Sequence, residues 1–248
     1  MSGSRNAARN VSTSPTGSEL TISRYRSQPR TRETRNAPET TRLHPQVGDP
    51  SLKRGRRHLL AYVGVMGPQD GLDLAVDALG HLQRLRDDDW HATFVGDGDM
   101  LEPVRRLARR LGVADRIEFP GFLDDDDGLR RVLASADVCL APEPKNALND
   151  ASTMIKIAEY MAMERPIVAF DLAESRVTAG DAAVYAEPND TSSFARCIDA
   201  LLDDPARRAT MGAVGRERVE NGLAWEHSQQ RLLEAYARAL DGRTALRV

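Results

Sequence analysis

The sequence predicts a doubly wound α/β fold: one parallel sheet of about six strands with helices on both faces. Three observations predict it. Apolar runs of four to six residues recur from Leu59 onward. Each run ends near a glycine, a proline or a charge. Amphipathic stretches with helical spacing lie between the runs. Runs so short and so uniformly apolar suit strands covered on both faces, the situation inside a parallel sheet. Right-handed crossovers then place the helices on both sides. No internal repeat of solenoid period is present.

In chain order, residues 1–50 show no apolar periodicity and are dominated by Ser, Thr, Arg, Asn and Pro. Such a composition cannot bury enough apolar surface to order itself, so this stretch is expected to be disordered or irregular. Residues 43–57, with Pro45, Pro50 and the basic stretch 53–57, read as a linker. The chain thus divides into an irregular basic tail and linker, 1–57, and a folded domain, 58–248. Strands are expected at 59–64, 92–96, 117–120, 138–141, 167–170 and 182–185. Leu72, Ala75, Val76, Leu79 and Leu82 fall on one face of a helix, as do Leu101, Val104, Leu107, Ala108 and Leu111. Gly112 stops the second of these as a C-cap glycine would. Three helices are expected after the last strand, at about 191–203, 206–221 and 225–240, with Trp225 opening the last.

Composition narrows the function classes. A 41% hydrophobic and 29% charged chain suits a globular protein, and no apolar run reaches the roughly 18 residues of a membrane span. No secretory signal segment is visible at the N-terminus. Cys139 and Cys197 both fall inside expected buried elements. A disulfide scaffold is therefore not expected, and a cytoplasmic location is. No Cys/His cluster has zinc-ligand spacing, so no metal is expected. Residues 1–57 carry 12 Lys/Arg against 4 Asp/Glu, and residues 58–248 carry 22 against 33. The solvated-tail reading of that basic segment is preferred, with no nucleic-acid partner expected. Peripheral contact with an anionic membrane surface stays open as its alternative.

Ligands bind doubly wound sheets beyond the carboxyl ends of the strands, so the loops there carry the candidate chemistry. Residues 64–71 (GVMGPQDG) leave a strand and open a helix. Gly64 and Gly67 let backbone approach a ligand, but the spacing is not GxGxxG, and a tight turn is an equal reading. Gly96 and Gly98 sit likewise in VGDGD, where Asp97 or Asp99 could cap the next helix. The third loop, within residues 143–162, enters a helix that Asp150, Ser152 or Thr153 could cap. Its free first-turn N–H groups would then face an anion. Lys156 and Glu159 lie one turn apart on the same face. An exposed helix ion pair is the plain alternative. The apolar character of Met154, Ile155, Ile157, Ala158 and Met161 argues for burial, and buried charges need partners.

These pieces together resemble the C-terminal domain of family-4 glycosyltransferases, retaining enzymes of the two-domain GT-B fold. The matching segments run in order: YVGVMGPQDG, FVGDGD, RIEFPGF, ADVCLAPEP, STMIKIAEYMAMERPIVAFDL, AEPND, DDPARRATMG and WEHSQQRLLEAY, covering about residues 58–240. RNAPETTRLHP, at 35–45, resembles the stretch that links the two domains of such enzymes. The resemblance implies transfer of a sugar from a nucleoside diphosphate sugar to an acceptor hydroxyl with retention, in polysaccharide or glycoconjugate assembly. It implies no cofactor beyond that donor. It makes Glu159 the ribose-holding glutamate, residues 152–156 the diphosphate-facing helix start, and residues 116–122 the segment beside the base. Asp150 and Lys156 are the candidate catalytic residues. Gly64, Gly67, Gly96, Gly98, Asn149, Ser152, Thr153 and Glu159 are the candidate donor-binding residues.

The sequence also departs from the family pattern. Val65 and Asp70 stand where the family often has an Arg and a Lys on the diphosphate. Ala151 replaces the usual glutamate eight residues before Glu159, with Asp150, Asn149 and Glu143 as nearby substitutes. Glu164 replaces the glycine before the PIV strand. Lys156 is expected to compensate for the missing basic pair. Only 57 residues precede the sheet, so the acceptor half is expected to be absent or supplied by a separate chain. Weak activity alone and an exposed apolar docking surface follow as expectations. The competing readings are a non-catalytic nucleotide-sugar-binding module and a dinucleotide-dependent oxidoreductase. The second is disfavoured by the lack of GxGxxG and of an acidic residue at the fingerprint distance.

Overall fold

A computed structural model describes residues 37–86, 89–123 and 125–245. The expectation of a disordered tail falls, up to residue 36, outside the described residues. The elements run β1 (His58–Val63), α1 (Leu72–Leu85), β2 (Trp90–Val95), α2 (Leu101–Arg110), β3 (Ile117–Gly121), α3 (Asp126–Ser135) and β4 (Val138–Ala141). They continue with α4 (Ile155–Ala162), β5 (Ile167–Phe170), α5 (Ala173–Ala179), β6 (Ala183–Ala186), α6 (Thr191–Leu202), α7 (Pro205–Arg218) and α8 (Trp225–Ala245).

The six strands form one sheet in the order β3-β2-β1-β4-β5-β6, and every pairing is parallel. The strand order reverses between β1 and β4, so the switch-point crevice opens beyond their carboxyl ends. Side chains along each strand alternate between two cores. On one face Leu60, Tyr62, Phe94 and Phe170 pack with residues of α1, α2 and α6. On the other, Ala61, Cys139, Ala141 and Ala169 meet Ile157, Tyr160 and Met161 of α4. Small strand residues on that second face let α4 lie close to the sheet. The hydroxyl of Tyr160 then accepts from the Val63 N–H at 2.9 Å and donates to the Leu140 carbonyl at 3.2 Å. This pins α4 to the ends of β1 and β4, where a ligand would sit.

The expected strands are all present, displaced by at most two residues at an end. β2 starts early because Trp90 and His91 extend the ladder opposite His58 and Leu59. Two helices carry too little periodicity to be read from sequence. α5 has seven residues, fewer than two turns. α3 opens in a run of aspartates, where the Asp125 carboxylate caps it by accepting from the Gly128 N–H at 2.5 Å. After α7 the chain passes through a π turn at Val219–Leu223 before Trp225 opens α8.

Residues 37–57, expected to be disordered or irregular over 37–50 and to form a linker over 43–57, are instead ordered along the domain. The Pro38 carbonyl accepts from the Trp225 N–H at 2.9 Å, Leu43 is buried, and a short 3-10 turn spans Pro50–Lys53. Among the described residues no helix is long and apolar enough to cross a membrane. Cys139 and Cys197 are free thiols, the first buried and pushed up to about 12 by that burial.

Glu164, standing where the resemblance places a glycine, adopts φ 56°. A side chain in that left-handed conformation costs roughly 1 kcal/mol. Glu164→Gly is accordingly expected to raise stability by up to about 1 kcal/mol, since relief of strain exceeds the added chain entropy. Equal or lower urea midpoints for the variant would show that the turn carries no strain.

Candidate functional site

A cleft of about 730 Å³ opens where the sheet reverses its order. Its walls come from the ends of β1 and β2, the loop after β3, the start of α3, the start of α4, and Arg42. Of the residues picked from sequence, Gly64, Gly96, Thr153, Lys156 and Glu159 line it; Gly67, Gly98, Asn149, Asp150 and Ser152 do not.

The floor is a buried polar cluster. Lys156 reaches back beneath the first loop, its Nζ 3.0 Å from Tyr62 Oη, 3.3 Å from Asp70 Oδ1 and 2.5 Å from Glu143 Oε1. The ammonium also lies 4.4 Å from the centre of the Tyr62 ring. Each partner fixes more of the loop. Tyr62 donates to the Val65 carbonyl at 2.7 Å, and Asp70 Oδ2 accepts from the Gly67 N–H at 3.1 Å. Burial alone would lower the Lys156 ammonium, but the charge and hydrogen bond of Glu143 and the Tyr62 hydroxyl outweigh it and hold it above the usual lysine range. Among the described residues, Glu143 Oε2 has no hydrogen-bond partner in the interior.

Glu159 lies one turn along α4 from Lys156, half-buried on the cleft wall. Its carboxylate makes no hydrogen bond among the described residues and is raised above the usual glutamate range. Burial is the larger cause, only partly offset by the charges of Lys156 and Arg42. The start of α4 has no side-chain cap: Met154 stands at the N-cap, and Ile155 and Lys156 face the cleft. The Ile157 N–H donates back to the Met154 carbonyl at 3.1 Å, which leaves the N–H groups of Ile155 and Lys156 open to an anion.

The caps fall elsewhere than expected. Asp150 does not cap α4; its Oδ1 accepts from the Ala173 N–H at 2.8 Å and so caps α5. Ser152 Oγ turns back to the Leu148 carbonyl at 2.7 Å, and Thr153 Oγ1 donates to Glu174 at 2.8 Å. Neither Asp97 nor Asp99 caps α2, whose N-cap is Met100 without a side-chain bond. Asn149 is buried and cross-braces the site, its Nδ2 donating to the carbonyls of Gln69 at 3.0 Å and Pro144 at 2.9 Å. Of the segment expected beside a base, only Phe122 reaches the cleft, 75% exposed. Arg116 instead lies 5.5 Å from the centre of the Trp90 ring.

Sequence reasoning missed Arg42, Tyr62, Asp125 and Asp126. Arg42 comes from the segment before the sheet and pairs with Asp126 through two bonds, 2.9 Å from Nε and 2.5 Å from Nη2. The only signal for it was its position in the 35–45 stretch that resembles a domain link.

Comparison with known proteins identifies the family. Residues 57–204 match the family model of the glycosyl transferases group 1. A GDP-mannose-dependent α-(1-6)-phosphatidylinositol monomannoside mannosyltransferase of Mycobacterium tuberculosis is 31% identical over 176 residues, 69% of this chain and 45% of that protein. The HepE protein of Anabaena, solved with UDP and glucose, superposes with a TM-score of 0.66 at 19% identity, over 82% of this chain and 55% of that one. The solved C-terminal domain of a group 1 glycosyl transferase from Francisella tularensis superposes with a TM-score of 0.63 at 16% identity. That match covers 75% of this chain and 98% of that domain. The chain spans about half the length of the curated relatives it matches. By the family match and the fold together, this chain belongs to the group 1 glycosyl transferases and carries the α/β domain that forms the C-terminal half of their GT-B fold.

Proposed function

We propose that the cleft binds the nucleoside diphosphate sugar donor of a retaining hexosyl transfer to an acceptor hydroxyl, in polysaccharide or glycoconjugate synthesis. One observation carries the reading. Lys156 and Glu159 share one face of α4, beside its uncapped start, and that face closes the same cleft as Gly64 and Gly96. A carboxylate free of internal hydrogen bonds suits two ribose hydroxyls, and free helix-end N–H groups suit a diphosphate. Lys156 is proposed to set the floor beneath the phosphates and hold the first loop in place. Asp150 is proposed to act at one remove, by fixing the start of α5. The relative's name and the neighbour's ligands support a nucleotide-sugar donor and leave GDP and UDP both open. No cofactor beyond the donor is proposed, and the free thiols fit a cytoplasmic location. The acceptor site would come from another domain or chain.

Titration calorimetry with UDP, GDP, ADP and their common sugars, beside Glu159→Gln, tests this. One nucleotide should bind saturably, and the variant should bind it about 10- to 100-fold more weakly, the loss expected for two hydrogen bonds to a charged acceptor. The sign for stability is opposite. A carboxyl whose pKa is raised on folding costs stability as pH rises above the ordinary glutamate value of 4.5, and in full once pH has passed the raised value. Glu159→Gln should therefore keep or gain thermal stability at neutral pH while losing affinity. A variant that loses both would mark a structural glutamate.

A non-catalytic binding module is the second reading, favoured by Val65 and Asp70 standing where a basic pair would meet the diphosphate. Saturable binding without donor turnover, when an acceptor domain is supplied, would support it.

A further inference from the structure

We propose that Arg42 is the residue that recognises the diphosphate, exchanging its ion pair with Asp126 for one with phosphate when the donor enters. This rests on the donor-site reading above and adds the cation that reading lacks. Among the described residues the cleft walls carry five carboxylates, Asp70, Asp97, Asp125, Asp126 and Glu159, against two cations, Arg42 and Lys156. A diphosphate entering such a cleft meets net repulsion unless a cation is free to turn towards it. Lys156 is not free: its side chain is 8% exposed and its charge is committed to Glu143 and Asp70. Arg42 is the other cation, with 57% of its side chain exposed.

Its geometry suits the task. The backbone is pinned at two successive carbonyls: that of Arg42 accepts from Arg130 Nη1 at 2.9 Å, and that of the buried Leu43 accepts from Arg216 Nη1 at 3.2 Å. From this fixed base the side chain lines the cleft and reaches Asp126 at the start of α3. Its two-pronged bond to the Asp126 carboxylate is the arrangement a guanidinium also makes with a phosphate. An exposed ion pair contributes little to stability, so leaving Asp126 is inexpensive. The guanidinium charge is felt by Glu159 as well as by Asp126, which puts it within electrostatic reach of the proposed ribose carboxylate.

The test is a ladder of phosphates: for whichever of the GDP, UDP and ADP series binds, the diphosphate, monophosphate and free nucleoside are titrated. Wild type, Arg42→Gln and Asp126→Asn are compared, with thermal melts as the folding control. In wild type, affinity should climb with each phosphate. Arg42→Gln should bind the diphosphate about tenfold more weakly, bind the nucleoside as wild type does, and melt within a degree or two of it. Asp126→Asn, which releases Arg42, should bind the diphosphate at least as tightly as wild type. The Arg42 contribution should also shrink as salt rises. Diphosphate affinity unchanged in Arg42→Gln but lost in Glu159→Gln would overturn the inference and leave the donor site standing. Equal losses for nucleoside and diphosphate, or a loss in Asp126→Asn matching that in Arg42→Gln, would reduce the pair to a scaffold. Failure of wild type to bind any diphosphate would overturn the donor reading itself.

Discussion

Lys156→Met is expected to destabilise the domain by about 3–5 kcal/mol, the cost of leaving a buried charge without its partner. The reason lies in what stays behind. The Glu143 side chain is 1% exposed and already has one carboxylate oxygen unpartnered. Removing the ammonium strands its charge in the interior beside Asp70, whose side chain is 12% exposed. Methionine fills the volume, so packing loss is not the cause. Urea unfolding at neutral pH checks it, and Lys156→Met combined with Glu143→Gln isolates it. With the stranded carboxylate neutralised, much of the loss should be recovered, giving a coupling energy of at least about 1 kcal/mol in the cycle. The sign with pH follows from the raised Lys156 pKa. Its contribution is complete below the ordinary lysine value of 10.5 and falls away as pH rises from there through the raised folded value. Between pH 6 and 9 the difference between wild type and variant should therefore not shrink from lysine titration. A variant within about 1 kcal/mol of wild type would mean that Glu143 takes up a proton or finds another partner, and that Lys156 does not hold the floor.

That cluster also marks how far the sequence could be read. The i, i+3 spacing of Lys156 and Glu159 on an apolar helix was enough to place both on one face and to demand a partner for a buried charge. It could not name the partner, because Tyr62, Asp70 and Glu143 come from other elements and only the closed sheet brings them under one ammonium. The six strands were legible for the opposite reason. Burial on both faces is a property of each short segment alone, so Leu59 to Val63 or Ile167 to Phe170 declare themselves without tertiary knowledge. The caps fall in between. Asp150, Ser152 and Thr153 all have cap chemistry at the right distance from α4, but Asp150 is drawn to the Ala173 N–H. Arg42 was illegible in function. It lies in a stretch without periodicity and meets Asp126 across 84 residues of chain, a distance over which no local pattern operates.

Gly96→Ala is expected to cost more than about 3 kcal/mol, or to leave a folded domain whose cleft no longer binds nucleotide. A Cβ built on Gly96 would lie 1.9 Å from the Gly64 carbonyl oxygen, and the residue sits at φ 132°. Both obstacles are backbone. No side chain can rotate away, so the loop after β1 must part from the loop after β2. The contact exists because the parallel β1–β2 ladder runs to Val63 and Val95, and the next peptides must cross at the mouth of the cleft. Gly112→Ala provides the control. It too has positive φ, at 71°, but nothing lies within 4 Å of the added methyl, so it should cost only about 1–2 kcal/mol of local strain. Paired thermal melts and nucleotide titrations separate the two terms. If both variants lose the same small amount and both still bind, the close approach of the two loops is not what shapes the cleft. If Gly96→Ala alone loses binding, the glycine is required by the meeting of two loops and not by its own turn. The donor cleft is then set by how tightly the first two strands end together.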